Sequence, residues 1–186
     1  ELADGSLTLD QKASISEKAW RTGGSKMFIE VGKRVSIEDL LKGMIVQSGN
    51  DASVALAEHL AGDEATFAEL MNREARRLGM TNSNFVNATG LPDPQHYTTP
   101  RDIATVAAAV IREFPEYYAW YSLPEFTYNN IKQSNRNRLL ERDPSVDGIK
   151  TGHTQAAGYC LVSSAERDGR RLIAVVASAV AKAAME

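Results

Sequence analysis

The sequence predicts an α+β domain in which helices come first and an antiparallel sheet follows. Three observations carry this. Apolar residues recur at helical spacing up to about residue 121. After Pro124 the pattern changes to the alternation of strands. Near the end, two apolar runs meet at Asp168-Gly169, a hairpin signature. Helices grouped before an antiparallel sheet read as α+β rather than as alternating α/β units.

The elements follow in order. "ELADG" at the start resembles the last turn of a helix, with Gly5 after its end. Ser36-Ile37-Glu38-Asp39 opens a helix in the manner of a capping box, with Leu40, Leu41, Met44 and Ile45 on its apolar face. Asn50 or Asp51 is expected to cap the next helix, with Val54, Leu56, Ala57 and Leu60 inward and Gly62 as its stop. Asp63 opens a third helix that turns Phe67, Leu70, Met71 and Ala75 inward and ends at Gly79. Thr81 to Thr98 is loop chemistry throughout. Thr99-Pro100 starts a fourth helix, with proline at its first position, running towards Phe114. Pro115 opens a short aromatic turn. "EFTYNN" and "DGIKTG" read as short strands, and residues 158–179 as a hairpin. Its second strand, Leu172 to Val176, is continuously apolar, as for a strand covered on both faces. The closing "VAKAAME" is rich in helix formers.

Composition excludes several function classes. The chain has 186 residues, 43% hydrophobic and 24% charged, with a net charge of -3. That is enough chain for one domain with a sizeable core. No basic run is present, which argues against nucleic acid as a partner. No apolar stretch approaches the ~18 residues of a membrane span. A single cysteine, Cys160, excludes an internal disulfide and is expected to be a small buried hydrophobe. His59, His96 and His153 show no metal-ligand spacing, so no metal or other cofactor is implied.

The chemistry-bearing residues fall in three places. Ser48-Gly49-Asn50 stands at a helix entrance. Lys150-Thr151-Gly152 lies on or beside a strand, where glycine admits a second backbone and lysine offers a cation to an anionic substrate end. His96 lies in the loop between them. Ser-x-Asn and Lys-Thr-Gly are each weak alone; their order, roughly 100 residues apart in a chain of one-domain length, makes them specific.

With "MIVQSGNDASVALAEHLAG", "GLPDPQHYTTPRDIA" and "SVDGIKTGHTQAAGYCLVSSAERDGRRLIAVV", the chain resembles the serine D-alanyl-D-alanine carboxypeptidases of the low-molecular-mass penicillin-binding protein type. Their three motifs are Ser-x-x-Lys, Ser-x-Asn and Lys-Thr-Gly. The resemblance covers about residues 24–176. It implies a β-lactamase/transpeptidase-like fold, a single domain over 1–186, helical to about 121 and sheet over about 122–178. The first motif is absent. Lys12, Lys18, Lys26, Lys33, Lys42, Lys132, Lys150 and Lys182 follow, three residues later, Leu9, Ile15, Gly23, Glu30, Asp39, Asn129, Asp147 and Ala179, none of them serine. On the resemblance, the nucleophile helix and the N-terminal strands precede Glu1. The chain alone is therefore expected to be inactive and not to fold stably, unless a second chain supplies that segment.

The resemblance also assigns roles. The chemistry is acyl transfer through a serine ester, on a peptidoglycan stem peptide ending in D-Ala-D-Ala, and β-lactams acylate the same serine. Ser48 relays a proton towards the leaving amine, since a hydroxyl both donates and accepts. Asn50 holds the substrate amide. Lys150 attracts the terminal carboxylate and tunes Ser48, Thr151 bonds the same carboxylate, and Gly152 lets the peptide lie along the strand. The backbone N–H of His153 matches an oxyanion-hole donor, and His96 borders the site. The family's arginine after the last strand is replaced here by Lys182, which is not equivalent at a carboxylate. The implied location is the periplasm or cell envelope of a bacterium. Other readings are a non-catalytic peptidoglycan- or partner-binding fragment, an endopeptidase with the same motifs, and a serine β-lactamase. The last lacks its Glu-x-x-Leu-Asn signature between the second and third motifs.

Overall fold

A computed structural model describes residues 2–179, and side chains to residue 177. The first half is helical, built on local signals. Ser16 caps α1 (Glu17–Arg21) by accepting the Ala19 N–H at 3.0 Å. Ser36 caps α2 (Ile37–Gln47) by accepting the Asp39 N–H at 3.1 Å, and its hydroxyl donates to the Asp39 carboxylate at 2.7 Å. α3 (Asn50–Ala61) follows after two residues and ends at Gly62, which has φ +85°. Asp63 caps α4 (Glu64–Arg77), and Thr99 caps α5 (Pro100–Glu113), which begins on its proline as expected. α6 (Pro115–Tyr118) and a 3₁₀ turn (Ala119–Ser122) lead to the strands.

The helical half also contains strands that periodicity does not reveal. β1 (Lys12–Ser14) pairs antiparallel with β2 (Arg34–Ser36), each only three residues long. The opening residues form a turn that closes on Gly5 at φ +77°. β3 (Glu125–Tyr128) and β4 (Ile131–Ser134) make a second small ribbon, of which only the first strand is expected from sequence. α7 (Leu139–Arg142) is short. The main sheet has the order β5 (Val146–Thr154), β6 (Gly158–Arg167), β7 (Arg170–Ala179), antiparallel throughout. Its hairpin turns at Asp168-Gly169, both with positive φ, as two-residue turns that match strand twist require.

Two cores result. One joins β1, β2, α2 and α3 around Met27, Ile29, Ile37, Leu40 and Val54, all nearly inaccessible. The other joins α5, α6 and the sheet through Ala107, Tyr118, Ile149, Val162 and Ile173. Two expectations are corrected here. β7 is not covered on both faces: Leu172 is 75% and Val176 39% exposed, while Ile173 packs towards α5 and α6. Alternation, hidden by the uniformly apolar sequence, is what the strand obeys. Cys160 is half-buried rather than buried. Residues 180–186, including Lys182, and the expected terminal helix lie outside the described residues.

Candidate functional site

Ser48 ends α2 in the left-handed region, at φ 62° and ψ 39°, and Gly49 leads into α3. This sharp turn is held from behind. The expected cap at Asn50 or Asp51 does not form: the cap position is Gly49, with no side-chain bond, and both polar residues reach outward. Asn50 donates through Nδ2 to the Gly23 carbonyl at 2.8 Å, and its backbone N–H donates to Ser25 at 2.8 Å. Asp51, 1% exposed, accepts the backbone N–H groups of Met27, Phe28 and Ile29 at 2.9, 3.0 and 3.3 Å. A carboxylate taking several backbone donors replaces its lost hydration. Those bonds fix Phe28 at φ 68°, a conformation that costs a bulky residue about 1–3 kcal/mol. Gly49 is required by close approach. A Cβ there would lie 3.0 Å from Asp51 Oδ1 and 3.2 Å from the Met27 nitrogen.

The turn thus leaves two groups uncommitted. The half-buried Ser48 hydroxyl makes no hydrogen bond among the described residues, and the Asn50 Oδ1 accepts none. A hydroxyl that can both donate and accept stands beside an amide oxygen that can only accept.

On β5, Lys150 is half-buried and donates to the Thr151 carbonyl at 2.9 Å. Burial, and then the like charge of Arg136, push its ammonium down to about 8. Among the described residues it has no carboxylate partner. An ammonium without a counterion is an anion site in waiting. Thr151 is half-buried and Gly152 is exposed, and the nearest atom to a Cβ added at Gly152 is Cys160 Cβ at 3.8 Å. The exposed His153 ring lies against Tyr159, with centroids 4.2 Å apart.

His96 is held within its own loop. Its Nδ1 accepts the Val86 N–H at 3.3 Å, and its ring meets Phe85 edge-on. Burial shifts it towards the neutral form. The structure gives it no contact with Ser48, Asn50 or Lys150 among the described residues.

Ser48 and Lys150 are linked through a segment that the sequence did not single out. Arg136 donates from Nε to the carbonyl of Gln47, the residue before Ser48, at 3.1 Å. The buried Asn137 donates to the Gly148 carbonyl on β5 at 3.1 Å. Nothing local marks Arg136, an exposed arginine among several. Among the described residues, no group of three or more His, Cys, Asp or Glu could hold a metal ion, and no helix is long and apolar enough to cross a membrane.

Comparisons with known proteins show the family and the fold. The family described as D-alanyl-D-alanine carboxypeptidase, peptidase S11, matches residues 2–181. The D-alanyl-D-alanine carboxypeptidase DacA of Haemophilus influenzae is 47% identical over 180 residues, 94% of this chain and 46% of the relative. The crystal structure of the D-alanyl-D-alanine carboxypeptidase DacD from Francisella tularensis superposes with a TM-score of 0.94 at 37% identity, covering 98% of this chain and 57% of that one. Penicillin binding protein 5 from Haemophilus influenzae gives 0.91 at 47% identity, over 94% of this chain and 52% of that one. The chain spans about half the length of the curated relatives it matches. The sheet flanked by helices is the penicillin-binding and transpeptidase fold, and the chain belongs to the D-alanyl-D-alanine carboxypeptidase family.

Proposed function

We propose that this chain forms the substrate-holding part of a serine D-Ala-D-Ala carboxypeptidase that removes the terminal D-alanine from peptidoglycan stem peptides. The observation that carries this is the Lys150 ammonium on β5, without a counterion among the described residues and tied through Asn137 and Arg136 to a turn whose Ser48 hydroxyl and Asn50 Oδ1 are uncommitted. A peptide laid along β5 at Gly152 puts its C-terminal carboxylate at Lys150 and Thr151. Asn50 Oδ1 accepts the substrate amide N–H, because Nδ2 is already spent on Gly23. The His153 N–H donates to the carbonyl oxygen under attack, where charge develops.

The nucleophile comes from a Ser-x-x-Lys segment, which these 186 residues do not contain. Its oxygen bonds to the penultimate carbonyl carbon, the C–N bond breaks, and Ser48 passes the proton to the departing D-alanine. Water then hydrolyses the ester. Penicillins, which acylate the same serine, are a second ligand class, in keeping with the name of the penicillin binding protein 5 relative. The corresponding location is the bacterial periplasm or cell envelope.

Fluorescent penicillin labelling of the whole protein, followed by intact-mass and peptide mapping, tests this. The reading predicts one covalent adduct, on the serine of the Ser-x-x-Lys segment, and slower labelling in Lys150→Ala. A protein that binds D-Ala-D-Ala peptides but forms no adduct and releases no D-alanine would be a binding module instead.

A further inference from the structure

The Asn135-Arg136-Asn137 segment has no role in the chemistry above, yet it bonds to the 3₁₀ turn, to the end of α2 and to β5. Asn135 donates from Nδ2 to the carbonyls of Leu123, at 2.9 Å, and Tyr121, at 3.3 Å, which seats the segment on the end of the 3₁₀ turn. Its Oδ1 accepts the Asn137 N–H at 2.9 Å. Asn137, 3% exposed, donates to Gly148 on β5 and accepts the Leu139 N–H at 3.2 Å. Between these two anchors Arg136 reaches across to Gln47 at the end of α2. A short rigid bracket therefore spans from β5, two residues before Lys150, to α2, one residue before Ser48.

We propose that this bracket is a positioning device: it sets the separation of the Ser48 turn from the Lys150 strand. The inference rests on the reading that Ser48 and Lys150 serve one site. The bond of Arg136 to the Gln47 carbonyl and the buried bond of Asn137 to the Gly148 carbonyl hold the two elements together. Arg136 also acts on Lys150 as a like charge that disfavours its ammonium form. Several charges on the surrounding elements are engaged elsewhere. Asp147 on β5 pairs with Arg171 and Tyr118, Glu166 on β6 with Arg171, and Arg167 with Asp143. Glu141 and Arg142 lie on α7, and Tyr121, which burial keeps neutral, on the 3₁₀ turn. Of all of these, Arg136 is the charge that acts on Lys150.

Asn137 is buried, so its replacement tests folding before it tests positioning. Arg136 is exposed, and its variants are informative. In the whole protein labelled with ¹³C-lysine, the Lys150 titration is followed by NMR, with the signal assigned by Lys150→Arg. Amide exchange is followed in the same samples at Gly49 and Asn50, whose N–H groups bond Gly43 and Ser25. Arg136→Gln is expected to raise the Lys150 titration by a few tenths of a pH unit, the size of one screened like charge. It is also expected to speed exchange at Gly49 and Asn50 several-fold. Arg136→Lys keeps the charge but loses the planar fork. It should leave the titration in place and still speed exchange. The proposal is overturned if Arg136→Gln changes neither, if the titration moves without any change in exchange, or if exchange rises evenly over the whole fold. Neither readout needs turnover. A protein that shows both effects but takes no penicillin would defeat the catalytic reading alone.

Discussion

A Cβ added at Gly49 would press on a buried carboxylate oxygen and a backbone nitrogen, whereas one added at Gly152 would meet only Cys160 Cβ at an ordinary 3.8 Å. Both glycines belong to the motifs of the candidate site. The first is required by the fold, because α2, α3 and the 23–29 segment converge on it. The second is not, since its surroundings would accept a side chain. On the proposed function, the missing side chain at Gly152 makes room for a peptide laid along β5, so the same residue type would serve the scaffold at one end and the substrate at the other.

The largest effect expected from breaking this division is at Asp51. Asp51→Ala strands three backbone N–H groups, those of Met27 and Ile29 buried, and should cost ~3–5 kcal/mol in urea unfolding of the whole protein. Next is Gly49→Ala, for which overpacking predicts ~1–3 kcal/mol in the same assay. Gly152→Ala should change stability by no more than ~0.5 kcal/mol and yet slow D-alanine release by about tenfold or more, as a displaced substrate requires.

The pH dependence sharpens the receptor end. Lys150 titrates near 8 in the fold and near ~10.4 unfolded. Between those values the unfolded state binds more protons, so stability rises with pH across that window. Anion binding runs the other way, because only the ammonium attracts a carboxylate. Affinity for a D-Ala-D-Ala peptide should hold below pH 8 and fall above it, approaching tenfold per pH unit, as read by calorimetric titration. The smallest effect belongs to His96. Burial lowers its titration below the usual ~6.5, so the neutral ring's contribution is present above that pH and fades as acid reaches the folded value. Protection of the Val86 amide, taken relative to its intrinsic exchange rate at each pH, should fall on acidification with little change in activity.

How much of this was legible in the sequence follows from how local each signal is. Ser36, Asp63 and Thr99 cap helices through bonds to residues three positions away, and Asp168-Gly169 turns a hairpin on its own backbone. Such signals lie within one short window and could be read directly. The motif residues could be read because their order resembles a family. Asp51 could not be assigned, because its partners lie 22–24 residues earlier and its position mimics a cap. The three-residue strands β1 and β2 are too short for a period, and their pairing is non-local. Arg136 reads as surface charge until its bond to the Gln47 carbonyl, 89 residues earlier, is seen. The alternating burial of β7 was masked over residues 172–176, which are apolar at every position.

The most direct test of the account is the rate of D-alanine release from a D-Ala-D-Ala-terminated peptide by the whole protein and its Gly152→Ala variant, measured where both have the same melting temperature. The account predicts release by the parent and a loss of about tenfold or more in the variant. Equal rates in two equally stable proteins would contradict it, because the open space at Gly152 would then serve no substrate.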